Sequence, residues 1–285
     1  TDPFFYVHNL LYLFLPWSLL FYIAAFSEFR MLIKNKFKSN EFFTFAGIWI
    51  FFIILNSASS QLPNYIFTII PLIAVLSAKW VDIALTNNST LFRVLYSTQN
   101  VVTGLIWFAI FAFSLYVFPL PKFYHWLVFA AGIGITIFIF LKIENNTARL
   151  ILPSIIVFTC LAFLLNTHIL PYAFSFQAPP KAARFYTENA AENEKLYNFR
   201  YRQYELFFYS EPQALQVDKE ETAEEFALPG NWIFTTPEGL AELSELEIKP
   251  DTLIEYKHLY LNRPGSFINP KTREESLKPM YLLKY

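Results

Sequence analysis

Up to about residue 170 the chain alternates long apolar runs with short polar breaks. The apolar runs cover Phe4–Phe26, Phe42–Leu55, Tyr65–Ala84, Val94–Phe118, Phe123–Leu141 and Leu150–Leu170. A helix crosses a bilayer with roughly 20 predominantly apolar residues, and the pattern predicts about six spans. Pro16 stands inside the first run. It either kinks one span or divides an interfacial helix, Phe4–Leu15, from a span starting near Trp17. After Pro180 the pattern shortens. Leu196–Phe199, Leu215–Val217, Asn231–Thr235 and Leu253–Leu261 read as strands. Glu205–Tyr209 and Lys219–Phe226 read as helices, and a further helix starts at Thr236-Pro237-Glu238. There Thr caps free amides, Pro fits the first turn and Glu suits the positive end of the dipole.

These elements give an α-helical multi-span membrane bundle over residues 1–170, a linker over 171–180 and a small extracytoplasmic α/β domain over 181–285. Composition agrees. The 285 residues are 55% hydrophobic and 16% charged, against about 25% charged in soluble domains. The net charge of −1 conceals a division. Before Pro180 the acids are only Asp2, Glu28, Glu41, Asp82 and Glu144, and the remaining acids follow it.

The bases before Pro180 set orientation, because short loops rich in Lys and Arg stay cytoplasmic. Threading the runs alternately puts Arg30, Lys34, Lys36, Lys38, Arg93, Lys142 and Arg149 inside, and only Lys122 outside. The tail is then extracytoplasmic. The Arg30–Lys38 cluster lies between two apolar runs, which argues against a nucleic-acid partner. Asn88-Ser89-Thr90 and Asn145-Asn146-Thr147 match a glycosylation pattern but fall in expected cytoplasmic loops, as chance matches. Cys160, in an apolar run, reads as a small buried residue. The chain opens at Thr1-Asp2-Pro3 with no signal-peptide pattern, which is the expectation for part of a longer protein.

No glycine-rich phosphate loop, zinc spacing or nucleophile elbow is present in the tail. Candidate chemistry therefore lies at the outer membrane face, in Asp2–His8 and in the break Ser57-Ala58-Ser59-Ser60-Gln61-Leu62-Pro63-Asn64-Tyr65. The break reads either as a plain hairpin turn, since Ser, Pro and Asn are turn residues, or as the mouth of a site. His8 reads as a structural, hydrogen-bonded histidine or as an acid–base group or ligand. Asp2 reads as a helix N-cap. His125 and His168 read as interfacial.

Leu15-Pro16-Trp17-Ser18, the basic loop, and Ser59-Ser60-Gln61-Leu62-Pro63-Asn64-Tyr65-Ile66 leading to Pro71 together resemble the C-terminal half of the polyprenyl-phosphate-dependent membrane glycosyltransferases. This C-type fold includes the aminoarabinose transferases of lipid A and the protein O-mannosyltransferases. The resemblance is specific at Leu62–Tyr65 and extends from Phe4 to about Ala84. It implies transfer of a sugar, with inversion, from a polyprenyl-phosphate carrier to a lipid or protein acceptor, on the outer face of a bacterial inner membrane. It puts the general base, an aspartate, upstream of Thr1, so no catalytic residue is assigned within the chain. The substrate-binding residues it implies are Gln61, Asn64, Tyr65 and, at the same face, His8. Gln61 stands where some members carry lysine. An amide donates hydrogen bonds to phosphate but brings no charge, which makes aminoarabinose the less expected sugar. The cofactor stays open, a divalent metal in the full protein being one option.

Two other readings stand beside this one. A transporter subunit would carry ionisable residues at mid-membrane, where this chain has few. A non-catalytic, membrane-anchored binding or scaffold protein would use the tail as its working part.

Overall fold

A computed structural model of the chain describes residues 2–87, 89–201, 204–217, 223–245, 249–260 and 265–285. The chain divides into two compact units, Thr1–Leu165 and Asn166–Tyr285.

The first unit is helical. It comprises α1 (Phe5–Leu13), α2 (Ser18–Lys34), α3 (Phe42–Ser57), a 3₁₀ turn (Pro63–Ile69) running into α4 (Ile70–Asn87), α5 (Ser89–Ala112), α6 (Phe123–Lys142) and α7 (Asn146–Leu164). Four helical stretches among the described residues are long and apolar enough to cross a membrane: Pro63–Asn87, Thr90–Val117, Phe123–Lys142 and Asn146–Phe174. At 1.5 Å per residue the shortest, of 20 residues, reaches about 30 Å, one hydrocarbon thickness.

The expectation of about six spans is therefore reduced. The first apolar run is divided at Pro16, into a nine-residue α1 and a 17-residue α2. The second run yields a 16-residue α3, about 24 Å long. These helices are apolar yet shorter than a full crossing. Pro16 lacks the amide that would have continued α1.

Two solvents are legible in the packing. One side of each long helix is buried in the bundle, while Phe43, Phe108, Phe123 and Leu141 are each more than 70% exposed. Large apolar side chains in that number and position need hydrocarbon around them. Buried polar groups meet one another instead. Gln99 donates to the Pro16 carbonyl at 2.9 Å and to Ser154 at 2.7 Å, and Thr103 lies 3.1 Å from Ser154. This network joins α5 and α7 to the corner between α1 and α2. Gly132 allows α6 to close on its neighbours, since a Cβ there would stand 2.7 Å from Cys160 Sγ and 3.1 Å from Trp107.

A second buried polar cluster fastens α2 to α4. Glu28 has no solvent exposure. One of its oxygens accepts from Lys79 at 2.7 Å and Trp80 at 2.8 Å, and the other from Ser39 at 2.7 Å. Ser39 belongs to the basic loop before α3, so that loop, α2 and α4 meet at one end of the bundle. The break Ser57–Tyr65 lies at the other end of α3.

The second unit is built on a mixed five-stranded sheet. Its strands are β1 (Leu196–Phe199), β2 (Leu215–Gln216), β3 (Trp232–Thr235), β4 (Thr252–His258) and β5 (Lys278–Lys284), in the order β2-β1-β3-β5-β4. β1 runs parallel to β2 and β3, while β5 runs antiparallel to β3 and β4. Alternate residues supply two cores. Phe234, Met280 and Leu282 pack with Ala182 and Tyr186 of α9 (Ala178–Asn189), and Ile233, Leu283 and Tyr285 pack with Phe226 and Leu243. The expected small mixed domain is thus present as a sheet with helices.

The strand β5, paired on both edges by β3 and β4, was not foreseen. It carries Lys278, Pro279 and Lys284 among its apolar residues, which blurs the period-two signal. Residues 171–180, expected as a linker, are mostly helical: Leu170–Phe174 forms α8, and α9 starts at Ala178. Thr236 caps the helix Pro237–Ser244 as expected, accepting from the Gly239 amide at 3.3 Å. Of the charged helix expected over Lys219–Phe226, Ala223–Phe226 is helical, and residues 219–222 lie outside the described residues, as does Leu261 at the end of the expected fourth strand.

Truncating one partner of a buried ion pair leaves the other charged and unpaired, a loss of about 3–5 kcal/mol. Glu28→Ala is expected to destabilise the first unit by that order, and Lys79→Met with Glu28→Leu together by much less. Reversible denaturant unfolding in detergent, compared between the wild type, the Glu28→Ala variant and the double variant, measures it.

Candidate functional site

The corner that follows α3 is assembled by hydrogen bonds to the start of the chain. The Gln61 side chain accepts from the Asp2 amide at 3.1 Å and donates to the Asp2 carbonyl at 3.1 Å and the Asn56 carbonyl at 3.0 Å. Both amide hydrogens of Gln61 are thereby committed. Tyr6 is fully buried. Its hydroxyl donates to the Leu62 carbonyl at 3.1 Å, and its backbone amide reaches Asn56 Oδ1 at 3.4 Å. Pro63 starts the 3₁₀ turn, and the Tyr65 amide closes onto the Leu62 carbonyl at 3.1 Å. The break is therefore a braced corner.

The four residues singled out from the sequence have different roles in it. Gln61 is the brace, half-buried and satisfied on its amide side. Asn64 and Tyr65 are exposed, Tyr65 by 39%, and among the described residues their side chains make no hydrogen bond. His8 is exposed on α1, with Nδ1 3.6 Å from Asp2 Oδ2, an ion-pair distance longer than a hydrogen bond. Asp2 is not the helix N-cap expected, since Phe4 holds that position without a side-chain cap; its carboxylate accepts from the Phe4 amide at 2.8 Å in the turn before α1. Asp2 thus connects His8 to the Gln61 corner. The partners Tyr6 and Asn56 were hidden in the sequence because they sit inside apolar runs. Their only signal was a hydrogen-bonding group near the end of each run.

The other sequence candidates are structural. His125 is buried, stacked on Tyr124 at 4.2 Å, with Nδ1 3.2 Å from the Lys122 carbonyl. Asn145 caps α7 by accepting from the Ala148 amide at 3.0 Å, which gives that position a role in helix initiation. Asn88 lies outside the described residues. Among the described residues no group of three or more His, Cys, Asp or Glu is placed to hold a metal ion.

A cavity of about 600 Å³ lies between α2 and α3. Its walls are mostly aromatic, Tyr22, Phe26, Phe29, Phe45 and Trp49 with Phe37 and Phe42 at the end nearer the basic loop. It has the lining of a site for a hydrocarbon chain.

The second unit holds one unusual histidine. His258 on β4 is 1% exposed. Nδ1 accepts from the Ala178 amide at 3.3 Å, and Nε2 is buried without a hydrogen-bond partner. Burial pushes its pKa down to about 4, so the ring is neutral at pH 7. It fastens β4 to the start of α9. At the opposite end of β4 and β5, burial works against the charge of Glu194, but hydrogen bonds from Lys284 and Trp232 outweigh it and hold the carboxyl below its usual range.

Comparison with protein-family profiles, with characterised proteins and with solved structures finds no match to this chain.

Two outcomes follow. Gln61→Ala removes three hydrogen bonds and is expected to cost about 1–3 kcal/mol and to speed amide exchange at Phe4–Tyr6, whereas Tyr65→Phe changes stability by less than about 0.5 kcal/mol. Exchange monitored by mass spectrometry separates the two. For His258 the folded pKa lies below the unfolded value near 6.5. Its neutral form stabilises the sheet fully above about pH 6.5, and the contribution is lost as pH falls toward 4, by about 3 kcal/mol in all. In His258→Leu the stability of the sheet unit should lose that pH dependence between 6.5 and 4, read by exchange protection of β4.

Proposed function

We propose that the chain is part of a membrane glycosyltransferase. On this reading it transfers a sugar from a polyprenyl-phosphate carrier to a lipid or protein acceptor at the outer face of a bacterial inner membrane. The observation that carries the reading is the braced corner, which presents unpartnered Asn64 and Tyr65 at one end of α3 while the basic loop occupies the other end. Lys and Arg in that loop favour the cytoplasmic side, and α4, which is long enough to cross, runs from the corner to the Lys79–Glu28 pair beside the loop. On this reading the corner takes the outer side and, after α5, α6 and α7, the sheet unit takes the same side.

The chemistry supports the reading at two points. The Tyr65 hydroxyl and the Asn64 amide can donate hydrogen bonds to a phosphodiester at the interface. The apolar cavity, beside the half of α3 nearer the basic loop, suits the distal part of the carrier's isoprenoid chain. Gln61 contributes by holding Asn64 and Tyr65 in position, since its own amide hydrogens are taken. His8, turned toward Asp2, is the titratable group adjoining the corner, and it suits binding of the donor head group. The general base belongs to the aspartate that the family resemblance puts upstream of this chain.

A membrane-anchored binding protein is the second reading. The fastened, solvent-facing sheet unit favours it, and it needs no transfer chemistry.

Transfer from a radiolabelled polyprenyl-phosphate sugar by the full protein in proteoliposomes decides between them. Tyr65→Phe is expected to lower kcat/KM by about tenfold, the worth of one hydrogen bond to a charged group, with stability unchanged. Wild-type turnover in Tyr65→Phe would remove the assignment of that residue, and no turnover by the wild type with a range of carriers and acceptors would favour the binding protein. Orientation is checked separately. Cys160 is buried, so single cysteines at Ser59→Cys and Lys36→Cys report alone: an impermeant maleimide should label the first in intact cells and the second only after permeabilisation.

A further inference from the structure

A second cavity, of about 490 Å³, lies within the sheet unit, lined by Pro171, Phe174, Gln177, Lys181, Arg184, Glu205 and Tyr209 among others. Its composition differs from that of the cavity between α2 and α3. Lys181 and Arg184 stand one turn apart on α9, so both present to one side of that helix. Among the described residues neither has a carboxylate within ion-pairing distance. Arg184 rests over the Tyr209 ring, 5.6 Å from its centre, and among the described residues its guanidinium has no ion-pair partner.

Glu205, on the short helix Glu205–Tyr209, supplies the opposite chemistry. It is hydrogen-bonded with the Tyr201 hydroxyl. Its Oε2 is buried and has no hydrogen-bond partner. A buried carboxylate oxygen without a donor is costly, and a ligand hydroxyl would relieve it. Two free cations and one acceptor in a single cavity match a ligand that carries both a phosphate and hydroxyl groups.

The position of the cavity narrows the source. Pro171 and Phe174 belong to the last turn of the apolar helix Asn146–Phe174, where hydrocarbon gives way to head groups. Phe174 and Tyr209 are exposed there, as aromatic residues are at membrane interfaces. Cations next to the end of a span attract anionic lipid.

We propose that this cavity binds a phosphate-linked polyol, of the kind carried by the head group of an anionic glycerophospholipid such as phosphatidylglycerol. Lys181 and Arg184 take the phosphate, and Glu205 accepts from a head-group hydroxyl. Bound lipid would fasten the sheet unit to the bilayer surface through α9. The site does not depend on the sugar-transfer reading, and a chain without transfer activity would still have it.

The test uses the full chain in phosphatidylcholine nanodiscs containing a minor fraction of phosphatidylglycerol or phosphatidic acid, with retained lipid counted by native mass spectrometry. Phosphatidylglycerol is expected to be retained about tenfold over its share of the disc, the equivalent of one charge-assisted contact. The double variant Lys181→Gln with Arg184→Gln should fall to the bulk ratio. Glu205→Gln should keep retention of phosphatidic acid but lose the preference for phosphatidylglycerol over it. Lys181→Arg should retain binding, and monodisperse elution of each variant excludes misfolding. Displacement by free sn-glycerol 3-phosphate supports the same chemistry for a soluble ligand, and retention without displacement assigns the site to lipid. Equal retention of phosphatidylglycerol and phosphatidylcholine by the wild type, together with no effect of sn-glycerol 3-phosphate, would overturn the proposal. So would undiminished retention by the double variant.

Discussion

A carboxylate with no access to solvent sits at one end of the helical unit, and the packing there is arranged around keeping it charged and paired. Glu28 takes Lys79 and Trp80 on one oxygen and Ser39 on the other. Removing a carboxylate from water costs several kcal/mol unless every lone pair is answered. That demand fixes α2 against α4 and fastens the loop before α3 to both. At the far end of α3 the Gln61 side chain ties the corner to Asp2 and Asn56. A helix of only 16 residues is thus held by polar contacts at both ends, where it is too short to be held by its length in a bilayer.

The middle of the bundle follows the rule less completely. Gln99 Nε2, Thr103 and Ser154 bond to one another and to the Pro16 carbonyl, Gln99 Oε1 stays buried without a partner, and the outer faces of the long helices carry exposed Phe and Leu side chains. The unit is therefore apolar on its outer faces as well as in its core, whereas the sheet unit packs apolar residues on both sides of the strands. Among the buried polar residues of the sheet unit is His258, neutral because it is buried, whose Nδ1 holds the first amide of α9.

The corner and the polar cavity illustrate how hydrogen-bond accounting separates structural groups from available ones. Gln61 lies in the motif that carries the family resemblance, yet its hydrogens are spent on the backbone. Asn64, Tyr65 and His8 keep theirs. Lys181 and Arg184 likewise lack carboxylate partners among the described residues, and Glu205 holds one oxygen in reserve. Groups left open in this way are those with free energy still to gain from a ligand.

The apolar runs, the position of the basic loop and the strands β1 and β3 were legible in the sequence, because hydrophobic length and period are local properties. So was the cap at Thr236, which needs only its next three residues. What stayed hidden depended on partners distant in the chain. Glu28 and Lys79 are 51 residues apart, and Gln61 meets Asp2 across 59. No local pattern marks such pairs. The division of the first run at Pro16 was one of the two readings the sequence offered, but composition gives only the apolar length and not where α2 and α3 stop, at 17 and 16 residues. β5 became an interior strand of the sheet through pairing on both edges, with β3 and β4, and not through its own alternation. The sequence alone determined which segments avoid water. The tertiary structure decided which polar groups answer one another, since a hydrogen bond is directional and its partner is chosen by the fold.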